Sequence, residues 1–338
     1  MEENKTLYTV SASPHAKNST GVTGVMLDVI IALLPAGIMG AVTFGLRALA
    51  VIGVCVGSAV LFEFLYTKIM KKPTTLGDLS AVVTGLLLAY NLPVGIPLWM
   101  CVIGSFAAIV VVKQFFGGLG QNFANPAITA RIVLLVSFAG AMTAYPASVL
   151  PDAVTGATPL GVLGTLPAKE AAAQIGAWTA NGELPTLTQM AFGIRGGCIG
   201  EVCGAALLLG GLYLLIRRVI SWRIPVCYLG TVAVFMLIAS GFDLTYTAYE
   251  LLSGGLLLGA IFMATDYTTS PINKTGKLVF GIGCGLLTCV IRLYGSLPEG
   301  VSYSILLMNI LTPLIEKATM PKYFGKTKKK KAKEGKAA

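Results

Sequence analysis

Charge is what this sequence has least of. Only 12% of its 338 residues are Asp, Glu, Lys or Arg, where an average soluble domain has roughly a quarter. Apolar residues make up 55% and the mean hydropathy is +0.78, which excludes an ordinary cytosolic enzyme, a disordered chain, and a collagen-like or disulfide scaffold. Histidine is nearly absent: His15 is the single one, so a Ser-His-Asp triad and a His-rich metal site are excluded. No Walker A motif occurs, and no G-x-G-x-x-G follows a strand pattern, so nucleotide binding by those routes is excluded. No C-x-x-C occurs either. The seven cysteines (55, 101, 198, 203, 227, 284 and 289) lie in apolar stretches, with C-x4-C at 198/203 and 284/289, and read as packing residues of helices. A cluster shared with a partner is the alternative. The first 23 residues are polar and lack the apolar core of a signal peptide, so insertion is expected through the first membrane helix.

What is present in excess is apolar runs. A helix needs about 20 apolar residues to cross the hydrocarbon core, and about ten candidates occur, at roughly 24–44, 48–68, 78–93, 97–115, 126–145, 190–216, 224–241, 247–264, 277–294 and 300–316. Pro35, Pro93, Pro97 and Pro126 fall at or near expected breaks. The formal charge of +10 sits mostly in residues 317–338, where nine Lys and Glu334 give +8 and leave +2 for the rest. This is not a nucleic-acid signature; such a tail suits anionic lipid headgroups or acidic partner surfaces. With ten spans both termini share a side. Placing the tail in the cytoplasm gives 20 Lys/Arg in cytoplasmic segments and three (Arg47, Lys169, Arg292) outside, as the positive-inside rule requires. The long loop 146–189 is then extracytoplasmic.

The expected fold is therefore an all-α polytopic membrane protein. It divides into a cytoplasmic segment 1–23, a membrane domain 24–316 and a cytoplasmic Lys-rich tail 317–338. Within the membrane domain, 24–145 and 190–316 form two halves around the loop 146–189. The stretch Asp78–Ala89 resembles Tyr249–Ala260, and aligning Gly85 with Gly255 gives an offset of 170; two five-span halves would be inverted, the plan of many transporters. Chance similarity between two Leu/Gly-rich helices is the other account.

Three stretches carry polar chemistry. In the outer loop, Thr155-Gly156-Ala157-Thr158 sets two hydroxyls among small residues, accessible to phosphate or to modification, or simply a solvated turn. Between spans four and five, Gly117-Gly-Leu-Gly-Gln-Asn122 precedes Asn125-Pro126. The amides of Asn122 and Asn125 suit the edge of a planar heterocycle, while the local alternative is Asn125 capping the next helix with Pro126 at its first turn. The acidic residues in or near spans are Asp28, Glu63, Asp78, Glu201, Glu250 and Asp266. Asp78 and Asp266 read as caps, and Asp28, Glu63, Glu201 and Glu250 are ion-pathway candidates or partners of Arg131, Arg195 and Arg292.

Taken together, these residues resemble a known family. Ser13-Pro-His15, Ala32-Leu-Leu-Pro35, Gly117–Asn122 with Asn125-Pro-Ala127, Thr155–Thr158, Gly200-Glu201, Ser253-Gly-Gly255, Ala264-Thr-Asp266 with Ser270-Pro271, and Met308-Asn309 are similar to the D subunit of the Rnf complex, an ion-translocating ferredoxin:NAD oxidoreductase. That subunit is homologous to the B subunit of the sodium-pumping NADH:quinone oxidoreductase. The Lys-rich tail lies outside the family pattern. The resemblance implies FMN held through a phosphoester on Thr158, with Thr155 where the motif allows Ser or Thr, and a second, non-covalent flavin, riboflavin, on the cytoplasmic side, placed here near Asn122 and Asn125. Arg195 would pair with the FMN phosphate; its plainer role is an interfacial anchor. Implied partners are the other Rnf subunits (A, B, C, E and G), the lipid bilayer and a flavin transferase, in a bacterial or archaeal cytoplasmic membrane. The chain would act as a translocase subunit, not catalytic by itself, on the electron route of a redox-driven Na+ or H+ pump. The charge bias puts Thr158 outside without reference to flavin. Two other readings remain at this point: the quinone-reductase B subunit, which usually has a longer N-terminal region, and a flavin-free channel of the urea or ammonium type.

Overall fold

The computed structural model describes residues 21–145, 158–193, 195–295 and 299–321. The outer-loop residues Thr155, Gly156 and Ala157, the first 20 residues and the chain from 322 onward, which includes most of the Lys-rich tail, lie outside the described residues. Within them the chain is helical, and the only strand-like pairing is an isolated antiparallel bridge between Pro93 and Cys198. The α-helices are α1 (Val22–Phe44), α2 (Leu46–Ile69), α3 (Ser80–Tyr90), α4 (Leu98–Phe106), α5 (Pro126–Ser137), α6 (Ala139–Thr143), α7 (Pro159–Leu163), α8 (Ala168–Ala180), α9 (Leu187–Phe192), α10 (Gly204–Ile216), α11 (Arg223–Ala239), α12 (Leu244–Leu252), α13 (Leu256–Leu258), α14 (Lys274–Tyr294) and α15 (Val301–Thr319).

Three of these, α1, α2 and α14, are long and apolar enough to cross a membrane, and α12 with the stretch Leu256–Met263 makes a fourth if its 67° bend is taken as one broken span. The long helices leave many of their apolar residues exposed. On α1, Leu27, Ile31, Leu34, Ile38 and Val42 form an exposed stripe, each at least 41% accessible. Such a face in water would be an association surface on each helix; in lipid it is the ordinary exterior. The chain is a multi-pass membrane protein.

Several expected continuous spans are broken. Phe138 separates α5 from α6, the stretch read as one span at 190–216 is α9, an irregular segment and α10, and the stretch at 247–264 bends between α12 and α13. Pro35, an expected break, lies inside the continuous helix α1, whereas Pro93 and Pro97 do lie in the gap between α3 and α4, and Pro126 is the first residue of α5. Proline is tolerated at a first turn, and inside an apolar helix where neighbours satisfy the freed carbonyls. Between α1 and α2 the chain reverses at one residue, Gly45, with φ 69°, a conformation that favours glycine. Both α4 and α13 run on as π-helix, over Ala107–Gln114 and Gly259–Met263, and Phe115 N donates to Val110 O (3.0 Å) and Ala264 N to Gly259 O (2.7 Å) in the five-residue spacing. π-segments are uncommon and collect at functional sites.

α1 lies along α10, α2 along α3 and α4, α11 along α14, and α14 along α15. At the centre the irregular segment before α10 crosses the one after α3: Ile199 N donates to Leu92 O (3.1 Å) and Gly200 N to Tyr90 O (2.9 Å). Irregular backbone at this depth persists only where protein satisfies it. These breaks set polar groups at the two ends of the bundle, one carrying Thr158 and the other Asn122.

Candidate functional site

Thr158 is the N-cap of α7. Its Oγ1 accepts from Gly161 N (3.2 Å), and Pro159 follows as the first helical residue. The hydroxyl thus lies at a helix N-terminus, where backbone N–H groups and the helix dipole favour negative charge. It lines a pocket of about 290 Å³ with Arg195, Gly197, Glu201, Gly254 and Glu299. The structure therefore brings Thr158, Arg195 and Glu201 together. Arg195 is buried, which corrects its reading as an interfacial anchor. Its Nε donates to Val202 O (3.1 Å), and its Nη atoms donate to the carbonyls of Leu252 and Glu201. A guanidinium has five N–H donors, so those three bonds pin two helix breaks and leave two donors without a partner among the described residues.

Below this pocket lies a buried polar cluster. Arg131 of α5 pairs with Glu299, donates to Ser302 Oγ (3.0 Å) and Asn91 Oδ1 (3.2 Å), and reaches Cys198 Sγ (3.7 Å). Tyr145 Oη donates to the other oxygen of Glu299 (2.8 Å). Burial pushes the Glu299 carboxyl above the ordinary carboxylate range, and the Arg131 guanidinium pulls it back. Cys198 Sγ and the carboxylates of Glu201 and Glu299 offer ligand atoms within 4.8 Å of one another, but Arg131 already spans that group, which disfavours a metal there.

The four pathway candidates are spread over both ends and most are already paired. Asp28 accepts from Tyr213 Oη (2.8 Å) and Arg217 (3.3 Å). Glu63 accepts from Lys113 Nζ (2.8 Å) and Thr75 Oγ1 (2.5 Å). Glu250 pairs with Arg292 (2.8 Å). Glu201 accepts from Cys198 N (2.8 Å) through one oxygen, and its other oxygen is buried with no partner among the described residues. Asp78 lies one residue before Leu79, the N-cap position of α3, and accepts from the N and Oγ of Ser80, the first residue of that helix. Asp266 holds a turn through Thr268 N and Thr269 Oγ1; burial pushes its carboxyl upward, and those bonds oppose it.

Asn122 and Asn125 share the wall of a second cavity, of about 790 Å³, at the opposite end from Thr158, with Lys113, Thr265, Asp266 and Phe262. Asn125 is committed to the backbone. Its Oδ1 accepts from Ala127 N (3.0 Å) and Ile128 N (3.3 Å) as the cap of α5, and its Nδ2 donates to Met263 O (3.1 Å) at the end of a π-helix. Asn122 donates to Ala124 O (3.1 Å). The cap reading of Asn125 is the one the geometry carries.

Sequence reasoning missed Glu299, Lys113 and Asn91. The available signal was Arg131 and Lys113 themselves: a cation buried among apolar helices requires a nearby carboxylate. Asn91 follows α3, donates to Leu87 O (2.7 Å) and Met263 Sδ (3.4 Å), and so joins both helix breaks to Arg131.

Broken apolar helices with charged pairs buried at the breaks define a multi-pass helical membrane protein. The sequence matches the family described as NQR2, RnfD, RnfE over residues 9–325. It is 49% identical, over 97% of this chain and 98% of the relative, to the D subunit of the Na(+)-translocating ferredoxin:NAD(+) oxidoreductase complex of Acetobacterium woodii. It is 43% identical, over 95% and 97%, to the D subunit of the proton-translocating ferredoxin:NAD(+) oxidoreductase complex of Clostridium ljungdahlii. It is 39% identical, over 91% and 93%, to the D subunit of the ion-translocating oxidoreductase complex of Stutzerimonas stutzeri. The chain belongs to the NQR2, RnfD, RnfE family.

Proposed function

We propose that this chain is the D-type membrane subunit of an Rnf-type complex that couples electron transfer from ferredoxin to NAD+ with translocation of Na+ or H+. Its relatives carry that role in their names, with sodium in one and protons in another. In this reading it works with the other subunits of the complex (A, B, C, E and G) and carries FMN on Thr158 through a phosphoester made by a flavin transferase. Bound flavin supplies one- and two-electron chemistry; the chain's residues tether it, orient it and set its surroundings.

The observation that carries this reading is the shared pocket of Thr158 and buried Arg195. The residues fit a phosphate arm. The hydroxyl is at a helix N-terminus, the pocket is lined by small residues, and Arg195 has two donors, without a partner among the described residues, for an anion. Glu201 and Glu299 bring negative charge to the same wall, and Arg131 balances it. The cavity at Asn122 suits the riboflavin assignment in its mixed apolar and amide walls.

The finer architecture belongs to the same proposal. Five helical stretches precede the long loop (α1, α2, α3, α4, and α5 with α6) and five follow it (α10, α11, α12 with α13, α14, α15). The matched pair Asp78–Ala89 and Tyr249–Ala260 covers the third of each set. This supports ten spans in two inverted halves, with both termini and the Asn122 end in the cytoplasm and the Thr158 loop outside.

Tryptic digestion and mass spectrometry of the chain, produced with its flavin transferase, test the assignment. The peptide containing Thr158 is expected to carry the mass of FMN less one water, and Thr158→Val is expected to lose it. An unmodified Thr158 in an active complex overturns the proposal.

A further inference from the structure

The pocket at Thr158 raises a question of size. It is the smaller of two adjoining cavities and has no room for a three-ring flavin. A tethered ring must extend elsewhere. Leu160, two residues past Thr158, lines that pocket and also a neighbouring cavity of about 770 Å³ between α7, α8, α12 and α14. Apolar and aromatic side chains wall this cavity, among them Leu163, Tyr246 and Tyr294, and Glu250 and Arg292 are its charged groups. Ligand sites are mostly apolar, with a small number of polar or charged groups that fix orientation, and this ion pair is the charged group of the wall.

The pair is held firmly from behind. Arg292 Nη1 donates to Glu250 Oε2 (2.8 Å) and to Glu250 O (2.7 Å), and Nη2 donates to Ser253 O (3.1 Å) in the gap between α12 and α13. Its Nε has no partner among the described residues. Gly254 packs against residues of both walls: a Cβ there would lie 3.1 Å from Leu160 Cδ2 and 3.4 Å from Arg292 Nη2. Neither Glu250 nor Arg292 is needed to hold a phosphate at Thr158, because Arg195 is the cation of that pocket.

We propose that the cavity between α7, α12 and α14 receives the isoalloxazine ring of the flavin tethered at Thr158, with Arg292, positioned by Glu250, against the ring edge where reduction places negative charge. The inference rests on the reading that Thr158 carries FMN. Fixed charge beside a flavin ring tunes its electronics: a guanidinium stabilises the reduced form and raises the reduction potential, and a carboxylate behind it limits that effect. Arg292 is a positioning and tuning residue here, and it takes no proton or electron.

The test uses the full-length chain made with a flavin transferase, with the Thr158 adduct checked by mass spectrometry and the potential read by spectroelectrochemical titration. Glu250→Gln leaves the carbonyl bonds of Arg292 in place and is expected to shift the potential upward. Arg292→Gln is expected to shift it downward, and Arg292→Lys to shift it less. If the adduct is present and Glu250→Gln leaves the potential unmoved, the ring placement is overturned. A shift with Glu201→Gln in place of Glu250→Gln would put the ring over the Arg195 pocket and overturn it equally. An absent adduct in the unaltered chain removes the reading beneath it, a different result from an adduct whose potential ignores Glu250.

Discussion

At the scale of single residues, most of the buried charges of this protein are answered by opposite charges. Glu63 and Lys113 are both almost fully buried, and Ser80 Oγ completes the site at 2.6 Å from Nζ. Removing one member of such a pair leaves the other uncompensated, at a cost of roughly 3–5 kcal/mol, while replacing both with apolar groups costs far less. Lys113→Met is therefore expected to lower the unfolding temperature in detergent more than the double change Glu63→Leu with Lys113→Met. Equal losses in the two would show that the pair is not energetically coupled. This bears on ion transfer, because Glu63, read from sequence as an ion-pathway candidate or a partner of an arginine, is paired with Lys113. Glu201, with one buried oxygen lacking a partner among the described residues, is the candidate left available.

At the scale of elements, the centre of the molecule is organised by Tyr90, the last residue of α3. Its hydroxyl donates to Leu33 O (3.0 Å) in α1, and glycines make room for it on two sides. A Cβ at Gly37 would overlap the Tyr90 hydroxyl, at the far end of the side chain; a Cβ at Gly200 would overlap Tyr90 Cβ, next to the backbone. The two positions should behave differently. Gly37→Ala is expected to cost about 1–3 kcal/mol by overpacking, and to add little in a Tyr90→Leu background. Gly200→Ala should stay damaging there, because Leu retains the Cβ. Thermal unfolding of the four variants checks this, and relief of Gly200→Ala by Tyr90→Leu would contradict the packing described.

Element boundaries also mark where sequence reading stopped. The helical class, the position of α1 and α2, the role of Asp78 at the start of α3 and the cap at Asn125-Pro126 are legible because each depends on neighbours a few residues away. The irregular segment before α10 is not. Nothing local to Gly196-Gly197-Cys198 says that Arg195 will be held by carbonyls of Glu201, Val202 and Leu252. Glu299 was invisible for the same reason: its partner Arg131 is 168 residues away. The Thr158 site was legible as a hydroxyl among small residues, but its pocket depends on α7, Gly254 and Glu299 meeting in space.

At the scale of the whole molecule, the proposed orientation has a direct consequence. Lys169 and Lys274 are both exposed, and they lie on opposite sides in the ten-span arrangement. A cysteine at 169 is expected to react with a membrane-impermeant maleimide in intact cells, and one at 274 only after permeabilisation. The reverse pattern would invert the chain and put Thr158 in the cytoplasm. The charge distribution that oriented the chain, 20 Lys/Arg against three, acts during insertion. The final burial of Arg131, Arg195 and Arg292 instead depends on partners that assemble once the helices have met.

The crossing of the two irregular segments also sets a timetable for biosynthesis. The carbonyls of Tyr90 and Leu92 accept from Gly200 and Ile199, which the ribosome adds about 110 residues later. At about 5–20 residues per second, these acceptors wait about 5–20 s for their partners while α1 to α5 are already made. Lipid offers them no donor. During that interval the first half must keep its break near water or borrow donors from the insertion machinery, so the gap after α3 is the point at which an interrupted chain is most exposed to misfolding and degradation.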